Sequence, residues 1–284
     1  MYLPRCYYIL NLKRKNTEER VEPMKILYFT GTGNCLAVAK KFNAELLSIP
    51  QLLKSNNYDI EADAVGIIYP VYYNAVPNIV ERYLRKCKIK TDYLFVIATY
   101  GSIAGGTLYK MRKLLEANGN QANYYEQLLM VDNFLPGFNI KNEISKIPQK
   151  NIEGNLNRII QEVSERKTRS ENTNILWKTS SFYMGSIGLK LARFFPKIYK
   201  VTNDCTNCGI CSKVCPVGNI IQNNKNKPVF KYNCESCLAC VNNCPQNAIQ
   251  LKIQKSKDRF RNSEVTLNEI IASNNTLLLR QWNI

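Results

Sequence analysis

Residues 205–216 read CTNCGICSKVCP and residues 234–245 read CESCLACVNNCP, two copies of CxxCxxCxxxCP offset by 29 positions. Each is followed by a similar closing segment, at 217–221 and 246–249, so this stretch is an internal duplication. Eight of the 11 cysteines in the 284-residue chain fall here. The chain has no histidine. That excludes Ser-His-Asp and Cys-His catalytic pairs, His-ligated zinc and His-ligated iron-sulfur centres, and leaves any metal chemistry to cysteine.

The spacing has a physical reason. Three thiolates at two-residue gaps wrap a tight loop around three corners of an iron-sulfur cube, and the fourth cysteine, carried away by a three-residue gap and a proline, lies too far round to reach it. That fourth thiolate belongs to the cluster of the other repeat. One [4Fe–4S] cluster is therefore expected on Cys205, Cys208, Cys211 and Cys244, and the other on Cys234, Cys237, Cys240 and Cys215. Structural zinc could use CxxC pairs, but it gives no reason for the third cysteine or the trailing Cys-Pro. Cys6 and Cys87 have no second cysteine at metal-site spacing and are read as non-ligands.

From about Val201 to Leu251 the chain resembles the bacterial two-cluster ferredoxin module, with no ligand missing. The resemblance implies one-electron transfer at low potential between clusters close enough to exchange electrons.

Upstream, short apolar runs rich in branched and aromatic residues, at 26–29, 64–69, 93–99 and 128–131, alternate with helical patterns at 36–47, 79–84 and 108–115. Repeated strand-helix-strand units predict an α/β fold, an open parallel sheet with helices on both faces. A further amphipathic helix is expected over 151–167, a polar linker over 168–180 and a basic amphipathic helix from Ser181 to Lys200. In that last helix Lys190, Arg193, Lys197 and Lys200 oppose Ile187, Leu191, Phe194 and Phe195. Its apolar face is expected to pack on the core, in preference to docking on an anionic membrane or an acidic partner.

After the first strand comes TGTGN, residues 30–34, opening a helix near Cys35. Such a loop offers backbone N–H groups to a phosphate. It is neither the dinucleotide fingerprint GxGxxG nor a Walker loop. Two more loops, 70–77 and 100–106, sit at the carboxyl ends of strands, where open parallel sheets bind ligands. From about Lys25 to Val131 the chain resembles flavodoxin, which implies a doubly wound sheet of order 2-1-3-4-5 and an FMN cofactor. Its phosphate would lie on Thr30, Gly31, Thr32, Gly33, Asn34 and Cys35, where a side chain at Gly33 would occupy the anion's space. Its ring would lie among Pro70, Val71, Tyr72, Tyr73 and Asn74 on one side and Thr99, Tyr100, Gly101 and Gly105 on the other. Cys35 stands where flavodoxins usually have a hydroxyl residue; simple replacement is preferred to a reactive thiol.

The whole arrangement resembles flavodoxin-ferredoxin fusion electron carriers. The expected organisation is an N-terminal extension over 1–23 with Met24 as the natural start, an FMN domain over 24–167, a linker and interdomain helix over 168–200, a two-cluster ferredoxin domain over 201–254 and a C-terminal tail over 255–284. The expected function is electron transfer coupling FMN to two [4Fe–4S] clusters, with redox proteins, acidic ones among them, as donor and acceptor. Alternatives are a flavin-dependent reductase of a small molecule and an electron-transfer subunit of a larger complex. The net charge of +17 is spread along the chain without a polybasic arm or a nucleic-acid-binding signature. No apolar run of membrane-spanning length occurs, and cysteines that read as ligands suit a reducing cytoplasm.

Overall fold

The structure is a computed structural model and describes residues 24–275. The expected N-terminal extension, Cys6 and the last nine residues lie outside the described residues.

Five strands, β1 (Lys25–Tyr28), β2 (Glu45–Ser48), β3 (Ala64–Pro70), β4 (Tyr93–Tyr100) and β5 (Tyr124–Leu129), form one sheet in the order β2-β1-β3-β4-β5. Every pair is parallel. Helices α1 (Asn34–Ala39), α2 (Ile49–Ser55), α3 (Asn78–Leu84) and α4 (Thr107–Glu116) connect them. Because side chains alternate along a strand, the two faces bury different residues. Ile26, Ile68, Phe95 and Ile97 pack with α1 and the helix Ile152–Ser164. Leu27, Ile67 and Val96 pack with the side chains of α2, α3 and α4. Helices therefore cover both faces, the doubly wound arrangement.

Two local expectations are corrected. The helical pattern drawn over 36–47 ends at Ala39, where the N–H of Lys40 closes on Leu36, and Leu46 and Leu47 instead pair with Ile26 and Leu27 as an edge strand. Two adjacent leucines that continue a helical period also suit an edge strand half-buried on both sides, and strand pairing decided it. The fourth apolar run enters the sheet earlier than 128–131, with Tyr124 already opposite Phe95.

The duplicated cysteine segment forms two antiparallel pairs, Tyr199–Val201 with Ile249–Leu251 and Ile220–Gln222 with Pro228–Phe230. Its two short helices, Ile210–Lys213 and Ala239–Asn242, begin 29 residues apart, the offset of the cysteine repeats. Val214, Leu238, Val241 and Leu251 belong to the same buried cluster as Ile26 and Phe95. Each such side chain contributes about 1.5–3 kcal/mol on full burial, so the module is held by core packing.

The segment from 255 returns to the α/β domain and packs on it. The Asn262 N–H donates to the Thr32 carbonyl at 2.9 Å. The helix Leu267–Asn274 lies on α2: Gln51 donates to the Ala272 carbonyl, and Lys54 Nζ donates to the Asn274 carbonyl at 2.6 Å. Thr266 and Glu269 close a capping box at its start.

Candidate functional site

The cysteines gather into two groups around two small cavities, one lined by Cys205, Cys208, Cys211 and Cys244, the other by Cys215, Cys234, Cys237 and Cys240. Among the described residues no three His, Cys, Asp or Glu side chains converge as ligands of a single metal ion. Four sulfurs spread around a cavity suit a cube better than the single centre of a zinc tetrahedron. Backbone N–H groups point at these sulfurs in symmetric fashion: Asn219 to Cys215 Sγ at 3.2 Å and, 29 residues on, Ala248 to Cys244 Sγ at 3.3 Å. Such bonds favour charge on a sulfur and are one of the protein's levers on cluster potential. Burial pushes the Cys211 and Cys234 thiols up to about 11 and holds Cys237 and Cys240 well above the ordinary thiol range. Iron binding must displace those protons.

The two groups differ in position. Cys208 is exposed, whereas Cys215 and Cys240 are buried. The second cysteine loop is clamped at three points, two on the α/β domain and one on the helix Ser186–Ala192 that packs on it. Glu235 Oε2 accepts the Ile79 N–H at 3.2 Å in the first turn of α3. Ser236 Oγ donates to the Ala192 carbonyl at 3.4 Å. The Cys237 carbonyl presses on Gly31, where a Cβ would lie 2.7 Å away.

Between this loop and the sheet lies a cavity of about 300 Å³. All the flavin-site residues expected from sequence line it except Gly33 and Gly105. Loop 30–34 is shaped internally, with the Gly33 N–H donating to Thr30 Oγ1 at 3.0 Å, and is braced by Asn133, whose Nδ2 donates to Thr32 Oγ1 at 2.7 Å. Gly33 takes a left-handed φ of 103°. Its missing Cβ would meet Asn262 at 3.0 Å and Val265 at 3.1 Å, so the space beside it belongs to the returning C-terminal segment, a correction to its reading as anion space. Gly105 acts from outside the cavity, turning with φ 59° to fit against Asn74. Tyr72 packs edge-on against Phe29, and Tyr73 against Phe134, which also lines the cavity. Cys35 is buried under the cavity with Sγ 3.1 Å from Thr99 Oγ1, and burial pushes its thiol up to about 12. It stays protonated at neutral pH. Cys87 lies in the other core cluster with its thiol pushed up to about 11 by burial.

Residues 204–260 match the family of 4Fe-4S dicluster domains. The chain is also 37% identical over 62 residues to an uncharacterized ferredoxin of Methanocaldococcus jannaschii, which spans 20% of this chain and 80% of that protein. The chain belongs to the dicluster ferredoxins. Among solved structures it is similar to the two-electron reduced flavodoxin of Megasphaera elsdenii, at 17% identity over 37% of this chain and 84% of that one with a TM-score of 0.28. It is also similar to a flavoprotein of Lactobacillus acidophilus solved with FMN, at 12% identity over 37% and 93% of the two chains with a TM-score of 0.27. In this ferredoxin the 4Fe-4S module, whose chemistry is electron transfer, is joined to the doubly wound α/β domain. Among its described residues no helix is long and apolar enough to cross a membrane.

The sequence reading of the ferredoxin missed two parts of the cavity. Val131, Asp132, Asn133 and Phe134 follow β5 at the same carboxyl edge as the other loops, so the rule that found those loops also covers them. Asp132 is positioned by Ser102 Oγ and the Phe134 N–H, both at 3.0 Å, and burial raises its carboxyl above the usual range. Ser236, Cys237 and Leu238 line the cavity only because the module docks there, and no local pattern announces that.

Proposed function

We propose that this protein couples one FMN to two [4Fe–4S] clusters, with the flavin ring in the 300 Å³ cavity. The observation that carries the reading is that Cys237 and Leu238 of the second cysteine loop line the same cavity as Thr30, Tyr72 and Tyr100. The donor set fits both groups: two sets of four thiols, and a cavity combining a hydroxyl-rich and glycine-rich loop with aromatic side chains. When bound, the clusters would pass electrons singly and the flavin would hold one or two.

The chain's own residues then have distinct tasks. Cys234, Cys237, Cys240 and Cys215 would hold the inner cluster, while Glu235 and Gly31 fix their loop over the cavity. Cys205, Cys208, Cys211 and Cys244 would hold the outer cluster, with Cys208 at the surface where a redox partner could approach. Tyr72 and Tyr73 on one loop and Tyr100 and Gly101 on the other line the cavity and would enclose the ring and exclude water from it. Cys237 lines both the inner cysteine cavity and the large cavity, whereas none of the outer four cysteines lines the latter, so a relay between the outer site and the flavin would run through the inner one.

The test is rapid mixing of the oxidised protein with limiting dithionite, following flavin and cluster absorbance separately. Cluster bleaching followed by first-order flavin reduction, independent of protein concentration, supports the relay. Flavin reduction whose rate scales with protein concentration contradicts it.

A further inference from the structure

The helical run from Ile175 through the π-turn Ser181–Gly185 to Ala192 packs on the α/β domain through Ser181, Gly185, Gly188 and Leu189. A Cβ on Gly185 would meet Ala75 at 2.6 Å, and one on Gly188 would meet the Tyr73 ring at 2.7 Å. Ser181 Oγ accepts the Gly106 N–H at 2.6 Å and donates to the Asn74 carbonyl at 2.7 Å. Leu189 is buried, but the other bulky aliphatic residues of the run with described side chains face outward; of the expected apolar face, Phe195 packs on the core whereas Ile187 and Leu191 turn away from it. Leu176 is 75% exposed, Ile175 70%, Leu191 58% and Ile187 57%. A globular helix ordinarily buries this face and leaves small or polar residues outside.

Charge indicates what covers these residues. Between Glu171 and Asp204 the chain has no acidic residue, and Lys178, Lys190, Arg193, Lys197 and Lys200 fall in that interval. Arg193 and Lys197 lie over the Phe194 ring at 4.7 and 5.2 Å, basic heads beside an apolar body. We propose that this face docks on an anionic lipid surface. A helical run that projects aliphatic side chains, carries basic but no acidic residues and is too short to span matches an interfacial segment. A protein partner would more often be met by concave pockets for its anchors and a rim of mixed charge. Docking there would hold the Tyr73 loop, which packs on this helix, next to the membrane surface. The proposal stands whether or not a flavin occupies the cavity.

Co-sedimentation of the anaerobically purified full chain with vesicles tests it, comparing pure phosphatidylcholine with phosphatidylcholine containing about 30% phosphatidylglycerol. Binding to the anionic vesicles is expected to be at least about tenfold tighter and to weaken with added salt. Ile187→Asp with Leu191→Asp, and separately Lys190→Glu with Arg193→Glu, should each abolish most of that binding while the visible spectrum and circular dichroism stay unchanged. Equal binding to both vesicles, no binding at low salt, or wild-type binding by both variant pairs overturns the proposal. Concentration-dependent dimerisation that Ile187→Asp abolishes would make this face a self-interface and would also overturn it.

Discussion

The carbonyl oxygen of Cys237 lies 2.7 Å from the position a Cβ on Gly31 would take, so the glycine loop after β1 and the second cysteine loop meet with no room for a methyl group. Asn243 Nδ2 adds a long contact to the Gly31 carbonyl at 3.5 Å. Backbone rather than a flexible side chain opposes Gly31, so neither loop can yield cheaply. Gly31→Ala should destabilise the docked arrangement by about 1–3 kcal/mol, as overpacking does. It should slow flavin reduction after cluster reduction while leaving iron content unchanged. Rapid-mixing kinetics beside iron analysis measure both, and wild-type kinetics in Gly31→Ala would mean that this joint does not carry the coupling.

Gly33 makes a different prediction. A non-glycine residue at its left-handed φ of 103° costs about 1–2 kcal/mol, and its side chain would push on Asn262 and Val265. Gly33→Val should therefore lose flavin and also raise hydrogen exchange in the segment 258–275, with the clusters retained. Flavin loss with unchanged exchange there would restore the simpler view that the side chain displaces only the anion.

The grouping of Cys215 with Cys234, Cys237 and Cys240 around one cavity predicts paired phenotypes. Serine keeps the shape but offers a harder ligand, so the affected cluster should be lost or altered. Cys215→Ser and Cys234→Ser should perturb one paramagnetic signal and Cys205→Ser and Cys244→Ser the other. Only the first pair should also slow flavin reduction from the clusters. A shared signature of Cys215→Ser and Cys205→Ser would show that each repeat holds its own cluster.

Much of this was legible because cysteine spacing and strand-ending loops are local patterns. The CxxCxxCxxxCP copies mark the eight cysteines that gather into two sets, and the loops after β1, β3 and β4 announce a shared edge. The edge strand β2 was hidden by Leu46 and Leu47, whose spacing also continues a helix. The Thr266-x-x-Glu269 capping box was readable as a helix start, yet nothing local says that the helix returns to α2. Docking of Cys237 over Gly31, and the outward turn of Leu176 and Leu191, depend on tertiary packing that periodicity does not encode.

That returning helix should be acid-sensitive. The hydrogen bond from Lys40, followed by that from the Thr266 N–H, holds the Glu269 carboxyl down at about 2. A carboxylate depressed by folding contributes stability that is complete above its unfolded value, about 4.3, and is lost as pH falls through the folded one. Because both partners are partly exposed, the contribution is below about 1 kcal/mol. Hydrogen exchange of Leu267–Asn274 relative to an unfolded peptide should rise between about pH 4 and pH 2. Glu269→Gln should exchange faster at neutral pH and lose much of that extra acid response. An unchanged response in Glu269→Gln would assign the acid sensitivity to other groups.

Iron, sulfide and flavin analysis of anaerobically purified protein, with its visible spectrum in both redox states, tests the central claim most directly. The account predicts about eight irons, about eight sulfides and about one FMN per chain, with cluster and flavin bands that both bleach on reduction. Zinc in place of iron, or a fully clustered protein that takes up no FMN when it is supplied, would contradict it.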